Sequence, residues 1–180
     1  MRATIIAAAR FINVINAEVM GAVLKTLSIL IAVNPIEPKA QELTHGKNVE
    51  MWEELKKVDH FYGRLEPIPG SVELFLKVFK KHGQDCQILT GVPRSSREIL
   101  YAAEDKTDWV HRVISPEVTV NICYRENKKE YASGKASYLI DDFSRTIEEW
   151  EKCGGTGIYF KDVAQTEKEL IRLGLLEKEL

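Results

Sequence analysis

The sequence predicts an α/β fold, a parallel sheet flanked by helices, and two observations carry that expectation. Short apolar runs of strand length, "CQILT", "VTVNICY", "YLIDD" and "TGIYF", recur along the chain. Between them lie segments whose apolar residues repeat at helical spacing. Strands that alternate with helices pair in parallel through right-handed crossovers. A length of 180 residues suits one domain with a real core. We read residues 1–180 as that domain, with a small helical cap contributed by the N-terminal third, over approximately residues 15–60.

The elements follow in order. Thr4 to Ala8 is the expected first strand, with Phe11 to Ile15 as a rival. Ala17 to Val33 reads as a helix, because Val19, Met20, Val23, Leu24, Leu27, Leu30 and Ile31 share one face. Pro35 and Pro38 end it. "VEMWEELKKV", within Gly46 to Asp59, is a second amphipathic segment, and "LEPIPGS" is a turn by its prolines and glycine. Val72 to His82 is a helix with Val72, Phe75, Leu76 and Phe79 on one face and Gly83 as its stop. After the strand "CQILT" comes the loop "GVPRSS"; Arg97 to Ala103 is expected to be helical, and "DWVHRVI" adds a turn or two. "NKKEYA", after "VTVNICY", is a short basic helix or loop. "SRTIEEWEKCGG" follows "YLIDD" as a helix with Ser144 as N-cap and Gly154 as stop. Its spacing turns Ile147 and Trp150 to the sheet and Glu148, Glu149 and Glu151 to solvent. "TGIYF" is the last strand and "TEKELIRLGLLEKEL" the last helix.

Composition narrows the partners. Hydrophobic residues make up 44% and the formal net charge is −2, so nothing attracts a nucleic-acid polymer or an anionic membrane in general. Cys86, Cys123 and Cys153 are scattered, with no CxxC pair, which suits a reducing, cytoplasmic setting. The stretch from Met1 to Val33 is rich in Ala, Ile and Val. A membrane span needs about 20 mostly apolar residues, and Arg10, Asn13, Asn16, Glu18 and Lys25 interrupt this one. A transit peptide would be basic and poor in acids. A buried strand followed by a core helix fits best, and the apolar helix also offers a surface for homo-oligomerisation.

In an open parallel sheet, ligands bind at the carboxyl ends of the strands. Thr90, the Lys128–Lys129 pair and Asp141–Asp142 lie at or just after such ends. A hydroxyl and the amides of a glycine-containing loop hold phosphate oxygens, a lysine offsets phosphate charge, and paired carboxylates hold Mg²⁺. Each has a plainer explanation as a turn residue, a solvated lysine pair or a helix-start device. Their order along the chain favours the joint reading.

Together, "CQILTGVPRSS", "NKKEYASGKASYLIDDF" and "IEEWEKCGGTGIYF" resemble motifs II, III and IV of the haloacid dehalogenase (HAD) superfamily and the helix and strand after them. The likeness runs from about Phe61 to Phe160, and the 5'(3')-deoxyribonucleotidase-like branch is the nearest in pattern. It implies a Rossmann-like sheet, Mg²⁺ dependence and hydrolysis of phosphomonoesters, often nucleotides. It gives Thr90 and the Gly91 amide to the phosphate, Lys129 the role of the motif III lysine in preference to Lys128, and Asp141 with Asp142 to Mg²⁺. Pro93, Arg94 and Ser95 would line the substrate edge. Lys129 and Asp142 are then the catalytic residues present.

The first strand departs from this pattern. The family's nucleophile is the first Asp of an Asp-x-Asp motif there, yet no Asp precedes Asp59. Ala7 and Ala9 replace the pair in one register, and Asn13 and Ile15 in another. The covalent route through an aspartyl-phosphate is closed in both. Three readings follow: a Mg²⁺-dependent nucleotidase with an unexpected nucleophile, a catalytically inactive phosphate- or nucleotide-binding protein, or a structural subunit.

Overall fold

Among the described residues, five strands form one parallel sheet in the order β3-β2-β1-β4-β5. They are β1 Thr4–Ala8, β2 Cys86–Gly91, β3 Val120–Cys123, β4 Ser137–Asp141 and β5 Thr156–Tyr159. The structure is a computed structural model that describes residues 4–8 as backbone, together with 52, 53 and 55–178. The expected helix at Ala17–Val33, the rival strand at Phe11–Ile15, and most of the 15–60 cap lie outside the described residues. The helices described are α1 Ser71–His82, α2 Ala102–Val113, α3 Ser144–Lys152 and α4 Val163–Arg172. None is long and apolar enough to cross a membrane.

The two-residue period of the strands sorts their side chains into two cores. Ile88 of β2 and Ile140 of β4 pack with Phe75, Trp109, Val110 and Leu170, on the side of α1, α2 and α4. Their chain neighbours Leu89 and Leu139 pack with Ile147 and Trp150 of α3 on the other side. Strands apolar on both faces are those of a sheet covered twice, which explains why β2 and β4 read as continuous apolar runs. Gly157 lets α3 approach β5 closely, since a Cβ there would fall 2.4 Å from Ile147 Cγ2.

Ile147 and Trp150 are buried, Glu148 and Glu151 are exposed, and half-buried Glu149 pairs with Arg145 and Arg125. Other local expectations need correction. The α1 face that goes inward is Ser71, Leu74, Phe75 and Val78, whereas Leu76 is 39% exposed. No helix spans Arg97–Ala103. A single 3-10 turn covers Ser95–Arg97, left-handed Glu98 and Tyr101 break the chain, and α2 begins at Ala102. Ser144 is the first helical residue of α3 rather than its N-cap. Asp162 caps α4, its Oδ1 accepting the Gln165 N–H at 2.7 Å, so that helix starts upstream of Thr166.

Candidate functional site

The carboxyl ends of β2 and β4 open into a cavity of about 290 Å³. Thr90 comes from the end of β2, Asp141 from the end of β4, and Lys128 from the 3-10 segment Arg125–Tyr131 between β3 and β4. Parallel pairing brings these ends to one side of the sheet, because Ile5–Ala8 of β1 pair with Cys86–Leu89 and Thr4–Ala7 with Ser137–Ile140.

A buried ion pair lies at the floor. Lys128 Nζ donates to Asp141 Oδ2 at 2.8 Å, and both residues are buried. Asp141 Oδ1 accepts the Phe143 N–H at 2.9 Å, which ties the carboxylate to the start of α3. On the β2 side, Lys106 of α2 donates to the Gly91 carbonyl at 2.7 Å and to Thr90 Oγ1 at 3.2 Å. Its ammonium stands 4.3 Å from the Tyr62 ring centroid, a cation–π distance. Arg125 completes the basic lining; its NH1 is 3.3 Å from Glu149. Thr146 Oγ1 is buried against the cavity with no hydrogen-bond partner among the described residues. Asp141 is the single carboxylate among the described lining residues, against three cations.

Much of the remaining wall is aromatic. Trp52, Phe61, Tyr62 and Leu65 face the cavity from the segment before α1, and Phe143 from the segment before α3. That segment is fastened to α2. Trp109 Nε1 donates to the Leu65 carbonyl at 2.6 Å, and Arg112 to the Gly63 carbonyl at 2.6 Å. His60 Nδ1 lies 2.6 Å from Asp105 Oδ1, and the His60 ring stacks on Tyr101 at 4.7 Å. The hydrogen bond to Asp105 raises the pKa of His60 above its ordinary value.

The expected site residues divide accordingly. Thr90, Gly91, Pro93 and Asp141 line the cavity. Arg94 and Ser95 are exposed; Arg94 pairs with Glu126 and stacks over Tyr124. Lys129 is exposed, so the lysine that meets Asp141 is Lys128. The 3-10 turn explains the exchange, since adjacent residues in it point about 120° apart and only one can face the sheet. Asp142 is half-buried and is not among the lining residues. Lys106, Arg125, Thr146 and the aromatic wall were not anticipated. One sequence signal pointed to Lys106: the buried stripe Ala102, Asp105, Lys106, Trp109 and Val110 carries two charges at its centre.

Mg²⁺, which the resemblance implies, does not fit these residues. Such a site needs several oxygen ligands. Asp141 is the single carboxylate among the described lining residues, the Lys128 ammonium sits on its Oδ2, and no group of three His, Cys, Asp or Glu that could hold a metal occurs among the described residues. The pairing of Ala7 with Ile140 sets the next residue, Ala8, level with Asp141. Ala8, rather than Ala7, is therefore the residue beside Asp141 on β1, and its side chain has no oxygen.

The fold has a solved counterpart. A HAD-superfamily hydrolase from Ehrlichia chaffeensis superposes with a TM-score of 0.57, covering 96% of this chain and 98% of that one at 11% identity. The chain is thus HAD-like in fold. No protein-family model matches the sequence, and no curated protein matches it.

Proposed function

We propose that this chain binds a phosphomonoester and hydrolyses it little or not at all. The observation that carries the reading is the convergence of Thr90, Lys106, Lys128 and Arg125 on one cavity beside an aromatic wall. Lysine ammonium and threonine hydroxyl groups suit phosphate oxygens. Trp52, Phe61, Tyr62 and Phe143 offer faces for a flat organic group, which favours a nucleotide over a sugar phosphate. Among the described residues the arrangement lacks what turnover requires. In-line displacement at phosphorus needs an oxygen nucleophile aligned with the leaving group. Ala8 stands where β1 comes level with Asp141, and Lys128 occupies Asp141 itself. The chain's own groups can bind and orient the ester, and the cavity walls can shield it from water.

Calorimetric titration with thymidine 5'-monophosphate, thymidine and inorganic phosphate tests this reading. The nucleotide should bind more tightly than either part, and Lys106→Met should weaken it about ten-fold, the scale of one lost charge-assisted hydrogen bond. Equal affinity for thymidine and its monophosphate would remove the phosphate from the argument. A parallel assay of phosphate release with Mg²⁺ should stay at background. Robust turnover abolished by Asp141→Asn would show that a nucleophile exists outside the described residues.

A further inference from the structure

The poor fit of Mg²⁺ points to what replaces it. A divalent ion that took Asp141 Oδ2 would have to displace Lys128 Nζ from 2.8 Å, and both residues are buried. An ammonium left beside a divalent cation would be repelled by it, and a buried charge stripped of its partner is strongly unfavourable. Without any metal, the lining already brings Lys106, Arg125 and Lys128 to one cavity, Arg125 meeting Glu149 and Lys128 meeting Asp141, so cationic donors are at hand for an oxyanion. An ammonium carries three donors, and Asp141 takes one of those on Lys128.

We propose that Lys128 stands in for the divalent ion: its ammonium bridges Asp141 and the bound oxyanion, and anion binding is independent of Mg²⁺. This inference rests on the phosphate-binding reading above, deepening it by assigning the cation. The two ligands would otherwise be coupled. If Mg²⁺ shared the site, it would tighten anion binding by the factor by which the anion tightens Mg²⁺.

The test is titration of the full chain with inorganic phosphate and with thymidine 5'-monophosphate, once in EDTA and once in excess Mg²⁺. Dissociation constants should agree within about two-fold between the two buffers. Manganese titrated alone, followed by electron paramagnetic resonance, should show no site that the nucleotide strengthens. Lys128→Met, checked for folding by circular dichroism, should lose about ten-fold or more in affinity in either buffer, whereas Lys128→Arg should retain most of it. Binding seen only with Mg²⁺, or tightened ten-fold or more by it, would overturn this inference while leaving the phosphate site standing. A folded Lys128→Met that binds as well as the unmodified chain would also overturn it. Absence of binding in both buffers would overturn the site reading and this inference together. The comparison of buffers uses the unmodified protein, so it decides the matter even if Lys128→Met does not fold.

Discussion

Replacing Lys128 by Met keeps most of the length of the side chain and removes its charge. The Lys128 and Asp141 side chains are 5% and 2% exposed, and their charged atoms are 2.8 Å apart. At an effective dielectric of about 20, that separation corresponds to an attraction of roughly 6 kcal/mol, which the desolvation of two ions largely offsets. Losing one partner leaves the other's desolvation uncompensated, typically at a cost of about 3–5 kcal/mol. Asp141 keeps the Phe143 N–H, so the lower end of that range applies to Lys128→Met. Asp141→Asn strands an ammonium opposite a neutral oxygen and falls in the same range. The double variant removes both charges and should cost far less than the sum of the two, a coupling of at least about 2 kcal/mol. Urea unfolding of the four proteins at neutral pH, with slopes compared to verify two-state behaviour, measures the cycle. Single losses below about 1 kcal/mol that add in the double variant would mean that the pair is solvated, as surface pairs are, and would refute the buried floor of the cavity.

Three further outcomes follow from the geometry. Gly155→Ala places a Cβ 2.1 Å from Nε1 of fully buried Trp150; overpacking of this kind costs about 1–3 kcal/mol, a fall in melting temperature of about 2–12 °C by scanning calorimetry. His60 has a raised pKa through its bond to Asp105, with Asp59 and Glu104 also nearby. Its contribution is therefore complete below the unfolded value of about 6.5 and lost as pH rises through the folded one. The melting temperature of the unmodified protein should exceed that of His60→Gln by more in mild acid than in mild alkali, and a pH-independent gap would contradict the pairing. Burial pushes the Cys86 thiol up to about 12, whereas Cys153 is exposed. Iodoacetamide should label Cys153 in the native protein and Cys86 only after unfolding, as peptide mass mapping would show.

The sheet was legible because its signals are local. Ile88 and Leu89 are adjacent in sequence and must both be apolar, since each packs on a different face. Thr90 and Asp141 could be placed because the end of a strand can be read from where the apolar run stops. The lysine partner could not be placed this way. Lys128 and Lys129 are equivalent in composition, and the phase of a short 3-10 turn decides which one faces inward. The start of α2 was misplaced for a similar reason. Leu100 and Tyr101 look like helix interior, yet left-handed backbone at Glu98 and Tyr101 delays the helix to Ala102. Lys106 and the aromatic wall belong to the cavity through contacts between segments distant in sequence, such as Trp109 with Leu65, which no local pattern records.

The position of β1 in the sheet also shapes how the chain reaches its native state. β1 lies between β2 and β4, although it precedes β2 by the whole interval from Ala8 to Cys86 and β4 by still more. During synthesis on the ribosome it emerges well before either neighbour, so it has nothing in this sheet to pair with until β2 follows. Until it docks, β2–β3 and β4–β5 are two separate ribbons, each with an apolar inner edge open to other chains. Closing such long loops before any pairing energy is returned is slow. Refolding should therefore be limited by the docking of this strand, and its yield should fall steeply with protein concentration as unsealed ribbons pair between molecules.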